Sequence, residues 1–212
     1  MSTLFDELFA GCPVLLILRG LPRDLTLEYC ERAWAAGIDA VEIPIQSDEA
    51  VRTLRDVSAL AAGRGRVVGA GTVLTASQVR LAREAGARFT VAPGSFPDVW
   101  QECAQLGLAH LPGVATGTEI GNAMAAGHTW LKAFPARELG TGWIRAQRGP
   151  FPAARFVATG GIDSTNLADF LRAGASAVSL GSSVADPQDL VRCIAVVGEV
   201  CEGMLATPPG RC

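Results

Sequence analysis

Residues 75–93 read TASQVRLAREAGARFTVAP and contain the unit from which most of the chain is built. Thr75 is a preferred residue at the start of a helix, and Gly86 suits the left-handed residue that ends one. The next run, 88–93, is short, apolar and closed by proline, which is typical of a buried strand. Helices that alternate with strands in this way build parallel sheets.

The same alternation continues along the chain. Ala-Gly-Ala or a close relative recurs at 36–38, 85–87, 126–128 and 173–175, each time where a helix would turn back into a strand. Besides 75–85, helices are predicted over residues 47–62 or 48–62, 116–126, and 163–173 or 164–173. Eight strands are predicted, at residues 13–19, 40–46, 66–72, 88–93, 109–112, 129–134, 155–159 and 177–181.

Eight such strands fit either a closed barrel or an open doubly wound sheet. The open sheet favours a G-x-G-x-x-G turn after the first strand, but this chain continues Leu18-Arg19-Gly20-Leu21 there. We therefore predict an α/β fold, a compact (β/α)₈ TIM barrel with an N-terminal helix. Residues 1–206 are predicted to form this single domain, and residues 207–212 a flexible tail.

Composition narrows the class of partner. The 212 residues are 49% hydrophobic and 18% charged, with a net charge of −3 and no basic cluster. Without a basic cluster the chain lacks the positive surface that binds a nucleic acid or an anionic membrane, which favours small molecules or other proteins as partners. The apolar runs are shorter than the roughly 20 residues of a membrane span, and the amino terminus lacks the basic start of a signal peptide. We expect a cytoplasmic protein.

The cysteines and histidines give no support to a disulfide framework or a metal site. No two cysteines form a C-x-x-C pair, and we expect them to be reduced and mostly buried. They are Cys12, Cys30, Cys103, Cys193, Cys201 and Cys212. His110 and His128 do not stand at ligand spacing with cysteines or carboxylates, so both are interpreted as loop or strand-end residues. No cofactor is expected.

Lys132 is the only lysine among 18 cationic residues. Alternation along its strand places Trp130, Lys132 and Phe134 on one face. Burial there would lower the pKa of the amine and free it to attack a carbonyl. The alternatives are a lysine that reaches solvent from a strand end, or one left by drift towards arginine. Arginine cannot form a Schiff base, so the functional interpretation is favoured.

Two further charged residues follow strands or lie within them. Glu42 lies in an apolar run, where a carboxyl group with a raised pKa could act as general acid and base. The alternative is a structural ion pair with Arg19 or Lys132. Arg19 closes the first strand, and its guanidinium suits a substrate carboxylate or phosphate. A salt bridge from Arg19 to a loop acid is equally compatible with the sequence.

Glycine-rich turns follow the third, seventh and eighth strands. Thr159-Gly160-Gly161 and Gly181-Ser182-Ser183 stand where barrels often bind phosphate through backbone N–H groups and hydroxyls. Both could also be simple turns. The stretch 69–72, Gly-Ala-Gly-Thr, is either a tight turn or a means of bringing Thr72 to a substrate.

Five of these stretches together resemble a known family. VEIP at 41–44, GAGTV at 69–73, PGVAT at 112–116, LKAFP at 131–135 and TGGI at 159–162 are similar to the motifs of the 2-keto-3-deoxy-6-phosphogluconate and 6-phosphogalactonate aldolases. The resemblance runs from about Phe5 to Met204. It implies a metal-free class I aldolase on a barrel, a homotrimer, and the sugar-acid chemistry of the Entner–Doudoroff type, yielding pyruvate and glyceraldehyde 3-phosphate.

The resemblance also implies roles for individual residues. Lys132 would form the Schiff base, and Glu42 would shuttle protons. Arg19 and Thr72 would bind the pyruvyl carboxylate, and Pro93 would line the pyruvyl pocket. The 6-phosphate would be bound by Gly160, Gly161, Gly181 and Ser182 or Ser183.

Departures from the family pattern leave the C4 epimer open. Gln46 stands where some phosphogluconate aldolases have arginine, which places carboxylate binding more heavily on Arg19. Residues 41–47 are closer to phosphogalactonate members, whereas Thr159 favours the phosphogluconate type. Arg137 replaces an acid found in many relatives. Two other functions stay possible at this point: a barrel sugar-phosphate isomerase or epimerase without imine chemistry, and a catalytically silent sugar-phosphate binder.

Overall fold

The computed structural model describes residues 3–181 and 187–206, with side chains at 3–181 and 188–200. The predicted tail 207–212 lies outside the described residues, as do Ser182, Ser183 and Cys212. The side chain of Cys201 lies outside them too. The predicted domain bounds, 1–206, remain a prediction.

The strands form one parallel sheet that curls into a nearly closed barrel, which confirms the predicted fold class. The described residues contain nine strands in the order β5-β4-β3-β2-β1-β9-β8-β7-β6. They are β1 (Val14–Ile17), β2 (Ala40–Pro44), β3 (Gly69–Gly71), β4 (Phe89–Val91), β5 (Ala109–Leu111), β6 (Gly113–Val114), β7 (Trp130–Ala133), β8 (Arg155–Ala158) and β9 (Ala177–Leu180).

The prediction of eight strands is wrong at the fifth one, which the structure divides at Pro112. Proline has no N–H to donate to a neighbouring strand. β5 therefore pairs with β4 alone, and β6 pairs with β7. The Pro112 carbonyl still accepts a hydrogen bond from the Lys132 N–H at 2.8 Å. The two short strands thus occupy one position of an eight-membered ring.

Helices alternate with the strands and cover the outside of the barrel. They are α1 (Leu4–Leu8), α2 (Arg23–Ala35), α3 (Asp48–Gly63), α4 (Ala76–Glu84), α5 (Pro97–Gln105), α6 (Gly117–Ala125), α7 (Ala136–Arg148), α8 (Leu167–Arg172) and α9 (Pro187–Ala206). Ser47, Thr75 and Thr116 each accept a backbone N–H three residues later, so these predicted caps are confirmed. Helix α7 is interrupted at Gly140, where φ is +77°.

The predicted start of the helix that follows β8, at Asp163 or Ser164, is wrong. Helix α8 begins at Leu167, after Asn166. The Asp163 carboxylate accepts hydrogen bonds from the Thr165 N–H at 2.9 Å and from the Thr165 hydroxyl at 2.5 Å. Such a local bond competes with helix formation and holds this segment as a turn.

The pairing register stacks the interior side chains in levels of four. Counting the pairing register from Ile17 through all neighbouring strands, and along the chain across Pro112, returns to the first strand eight residues before the start, so the shear is eight. In such a barrel each level takes residues from alternate strands. The two levels nearest the amino ends of the strands, here called the amino half, hold Ala40, Phe89, Trp130, Ala177, Leu15, Gly69, Leu111 and Val157. This half is covered by Phe5 and Leu8 of helix α1 and by Phe9, which directly follows the helix.

The next two levels, here called the carboxyl half, contain polar side chains. One level combines Glu42, Val91, Lys132 and Ser179, and the level above it combines Ile17, Gly71, Gly113 and Thr159. Two of the four residues in that upper level are glycines. The barrel therefore brings a lysine, a carboxyl group and two hydroxyls together near the carboxyl ends of its strands.

Candidate active site

A cavity of about 450 Å³ opens at the carboxyl end of the barrel. Most of the residues predicted for the site line it: Arg19, Thr72, Pro93, Lys132, Thr159, Gly160, Gly161 and Gly181. Glu42 lies beneath it, in the level of Lys132. Ser182 and Ser183 lie outside the described residues, so their predicted role in phosphate binding stays a prediction.

Lys132 is buried at the floor of this cavity, with 3% of its surface exposed. Its Nζ lies 5.1 Å from the ring centroid of Phe134, two residues later on the same face. Burial lowers the pKa of the amine below the usual 10.5, the Arg19 charge lowers it further, and the Glu42 charge opposes the shift. An amine in this environment is available as a nucleophile at lower pH than an exposed lysine.

Glu42 is completely buried, and neither of its carboxyl oxygens has a hydrogen-bond partner among the described residues. Gly71 makes room for it, because a Cβ at that position would lie 2.4 Å from Oε1. Burial raises the pKa of Glu42, and the Lys132 and Arg19 charges oppose the rise. No ion pair to Glu42 occurs among residues 3–181 and 188–200. An unpaired buried carboxyl group of this kind is a candidate for proton transfer.

Arg19 is held at one wall of the cavity by two neutral side chains. Its Nη1 donates to Oε1 of Gln46, and its Nη2 donates to Oγ1 of Thr72 at 3.3 Å. Thr72 follows β3 with φ at +58°, a strained conformation for a β-branched residue. Within the described part of the chain, no loop acid pairs with Arg19. In the sequence, Gln46 is recognisable only as a departure from the family pattern. In the structure, it accepts a hydrogen bond from Arg19 and so helps to fix the guanidinium.

The Thr159-Gly160-Gly161 turn forms another wall. Gly160 and Gly161 have φ values of +99° and +69°. The carbonyls of Thr159 and Gly160 accept the N–H groups of Ala136 and Arg137, at 2.7 Å and 3.1 Å. The N–H groups of Gly160 and Gly161 have no acceptor among the described residues. Successive free N–H groups in such a turn make a concavity suited to an anion.

Ser179 lines the cavity but was missed in the sequence. Its hydroxyl lies 2.8 Å from that of Thr159, and Thr159 donates in turn to the Val157 carbonyl at 3.2 Å. A serine in the apolar run 177–180 gives no local signal. Counting the interior levels from Lys132 and Glu42 would have found it, because all three share one level.

The described histidines and cysteines, for which the sequence predicts no catalytic role, do not line this cavity. His110 is buried with its Nδ1 2.7 Å from the Thr90 hydroxyl, and burial together with His128 lowers the pKa of His110 to about 3. Cys12, Cys30, Cys103 and Cys193 are buried and form no disulfide with one another. Among the residues with described side chains, no three His, Cys, Asp or Glu residues group as metal ligands. None of the described helices is both long and apolar enough to span a bilayer.

Fold and cavity together define a class of protein: a parallel α/β barrel that holds a buried amine and a buried carboxyl group in one level beneath a cavity at the carboxyl ends of its strands. Comparison with known proteins leads to the same class. The family described as "Aldolase: KDPG and KHG aldolase" matches residues 9–194. A probable 2-dehydro-3-deoxy-6-phosphogalactonate aldolase of Rhizobium meliloti is 37% identical over 176 residues, covering 82% of each chain. The 2-dehydro-3-deoxy-6-phosphogalactonate aldolase of Escherichia coli is 35% identical, covering 81% of this chain and 84% of its own.

A solved relative has a similar structure. The KDPG aldolase of Legionella pneumophila, in which pyruvate was captured as a covalent carbinolamine, superposes with a TM-score of 0.79. It is 27% identical, and the match covers 95% of this chain and 98% of that one. The chain belongs to the KDPG and KHG aldolase family. It is an aldolase, a carbon–carbon lyase, and the alternative of an isomerase or epimerase is not supported.

Proposed function

We propose that this aldolase reversibly cleaves a 2-keto-3-deoxy-6-phospho sugar acid, of the gluconate or galactonate type, to pyruvate and glyceraldehyde 3-phosphate. The observation that carries the proposal is that Lys132 and Glu42 lie in the same level of the barrel. A buried amine with a lowered pKa shares this level with a buried carboxyl group that has no hydrogen-bond partner among the described residues, and both lie beneath an open cavity. The names of the relatives supply the substrate class.

The covalent steps start at Lys132. Its neutral amine attacks the C2 carbonyl, and the carbinolamine loses water to give an iminium ion. The iminium accepts the electron pair of the C3–C4 bond as that bond breaks, so the aldehyde leaves and an enamine remains. Protonation at C3 and addition of water then release pyruvate and restore the amine.

Glu42 supplies the proton transfers that these steps need. In its neutral form it protonates the departing C2 hydroxyl, and as a carboxylate it accepts the proton of the C4 hydroxyl when the C3–C4 bond breaks. It then returns a proton to C3. A raised pKa brings both forms of the carboxyl group closer to neutral pH, which general acid–base catalysis requires.

The two charged ends of the substrate would bind at different walls of the cavity. Arg19 and Thr72 would bind the pyruvyl carboxylate, with Gln46 fixing the guanidinium. The N–H groups of Gly160 and Gly161 would bind the 6-phosphate, together with Gly181 and the serines that follow it. Pro93 would pack against the pyruvyl group.

A pyruvate assay coupled to lactate dehydrogenase tests the proposal. Both C4 epimers of the 6-phosphorylated acid are offered under the same conditions. We expect pyruvate from at least one epimer, with glyceraldehyde 3-phosphate in equal amount, and none from Lys132→Arg. Failure of both epimers with the parent enzyme would refute the proposed substrate class, and the ratio of the two rates identifies the preferred epimer.

The assembly of the chain is proposed from the family resemblance alone. We infer a homotrimer, and sedimentation equilibrium of the purified protein measures its mass directly. A mass of one or two chains would refute the trimer without affecting the proposed chemistry.

A further inference from the structure

Arg137 lies next to the turn formed by Thr159, Gly160 and Gly161. It is the second residue of α7, and its side chain is exposed. The stem of the side chain lies across Gly161, because a Cβ on that glycine would lie 2.7 Å from both Cβ and Cδ of Arg137. The absence of a side chain at Gly161 therefore lets the arginine stem pack against the turn whose N–H groups have no acceptor among the residues that the structure describes.

The backbone fixes Arg137 relative to this turn. Its own N–H donates to the Gly160 carbonyl at 3.1 Å, and the preceding N–H, of Ala136, donates to the Thr159 carbonyl at 2.7 Å. Both bonds use carbonyl groups of the turn and leave its N–H groups for another partner. Arg137 and Gly161 together line a recess next to the cavity, and Gly161 also lines the cavity itself. The arginine and the N–H groups of the turn are both groups that bind anions.

The guanidinium of Arg137 is not neutralised by a close carboxylate. Within the described residues, no Asp or Glu oxygen lies within 4.0 Å of it. Asp163 and Asp189 line that recess together with Arg137, but Asp163 accepts two bonds from Thr165, and Asp189 accepts bonds from Ser164 at 2.8 Å and from Arg192 at 3.4 Å. The Arg137 charge contributes to the lowered pKa of Asp163. Its own donors are left for an incoming anion.

We propose that Arg137 is a specificity-determining residue that binds the terminal phosphate of the substrate. The inference rests on the proposed function and deepens it. It assigns to the glycine turn a guanidinium that donates two hydrogen bonds to a phosphate dianion. Arg19 serves the carboxylate at the other wall, so the two ends of the substrate meet different arginines. An unphosphorylated 2-keto-3-deoxy acid makes no use of Arg137.

Kinetics of Arg137→Ala with phosphorylated and unphosphorylated 2-keto-3-deoxy acids test the proposal. We expect KM for the phosphorylated acid to rise about tenfold with kcat nearly unchanged, since a hydrogen bond to a charged group is lost. The inhibition constant of inorganic phosphate should rise by a similar factor. Arg137→Lys should recover part of the loss, and Arg137→Glu should increase it. Arg145→Ala, which removes the same charge from an exposed position later in α7, is the matched control and should change neither constant.

A second readout separates this inference from the proposed function. Exchange of the pyruvate methyl protons with deuterium requires imine and enamine formation but no phosphate, so Arg137→Ala should exchange at the parent rate. Equal losses for both acids, a loss of exchange, no loss at all, or the same loss in Arg145→Ala would overturn the role of Arg137. If the parent enzyme itself neither exchanges pyruvate nor cleaves the acids, the proposed function fails instead.

Discussion

The amino half and the carboxyl half of the barrel interior are built from the same strands but differ in chemistry. In the amino half, Phe89 fills the space left by Gly69 and meets Phe5 edge-on, with ring centroids 5.5 Å apart. In the carboxyl half, the space left by Gly71 is filled by the carboxyl group of Glu42. Two glycines of β3 thus make room for a phenyl ring in the amino half and for a carboxyl group in the carboxyl half.

This difference indicates where stability and chemistry lie in the molecule. The amino half is apolar and closed by α1, so its residues contribute by burial and packing. The carboxyl half holds a buried carboxyl group with no hydrogen-bond partner in the described part of the chain, an arrangement that costs stability and is typical of functional sites. Changes in the carboxyl half should therefore alter activity, and changes in the amino half should alter folding.

The largest effect is expected from Lys132→Arg. The variant keeps the charge but cannot form an imine, so aldol cleavage should fall to the background of the pyruvate assay. Lys132→Gln serves as a second variant in case the larger arginine disturbs packing. Substantial cleavage by either folded variant, with folding checked by urea denaturation, would contradict the role of the lysine.

Gly71→Ala should lower kcat by about a hundredfold, because a shift of roughly 1 Å in a reacting group has that consequence. The new Cβ would lie 2.4 Å from Oε1 of Glu42 and must displace the carboxyl group. Cleavage rates and urea midpoints of the variant check this. If cleavage is unchanged while the protein stays folded, the position of Glu42 does not matter to the reaction.

Phe89→Ala should affect the amino half of the barrel interior and therefore the stability of the fold. Removing this fully buried ring should cost about 3–5 kcal/mol of unfolding free energy, measured in urea. The kcat of the remaining folded molecules should stay near that of the parent. Val191→Ala, at a position 67% exposed, is the control and should change stability by less than about 0.5 kcal/mol. A specific loss of kcat in Phe89→Ala would mean that the two halves are coupled.

The smallest effect is a shift in the titration of Lys132, which ¹³C labelling of lysine makes visible because the chain has one lysine. In the parent the midpoint should lie below 10.5. The Glu42 charge raises the pKa of Lys132 and the Arg19 charge lowers it. Glu42→Gln should therefore move the midpoint to lower pH, and Arg19→Gln to higher pH. Shifts in the same direction would contradict this electrostatic account.

Much of the fold followed from local sequence signals. The caps at Ser47, Thr75 and Thr116 were predicted because a side-chain oxygen at a helix start acts on its nearest neighbours. The break at Pro112 was missed, since proline also closes other strands of this chain without dividing them. The late start of α8 was missed because Asp163 bonds to Thr165 instead of capping a helix.

The site could be predicted where one residue type is out of place in its strand. Lys132 and Glu42 stand out in apolar runs, and the structure brings both to one level of the barrel. Ser179 does not stand out, because a small polar residue is common in a strand and only the register shows its level. The hydrogen bond from Arg19 to Gln46 joins residues from two loops, and no spacing along the chain predicts such a contact.

The central claim is that Lys132 forms an imine with pyruvate, and reductive trapping tests it most directly. The protein is incubated with pyruvate, reduced with borohydride and digested, and the modified peptide is mapped by mass spectrometry. The account predicts one adduct, on the peptide that contains Lys132, and none in Lys132→Arg. No adduct with the parent protein, or an adduct on a different peptide, would contradict it.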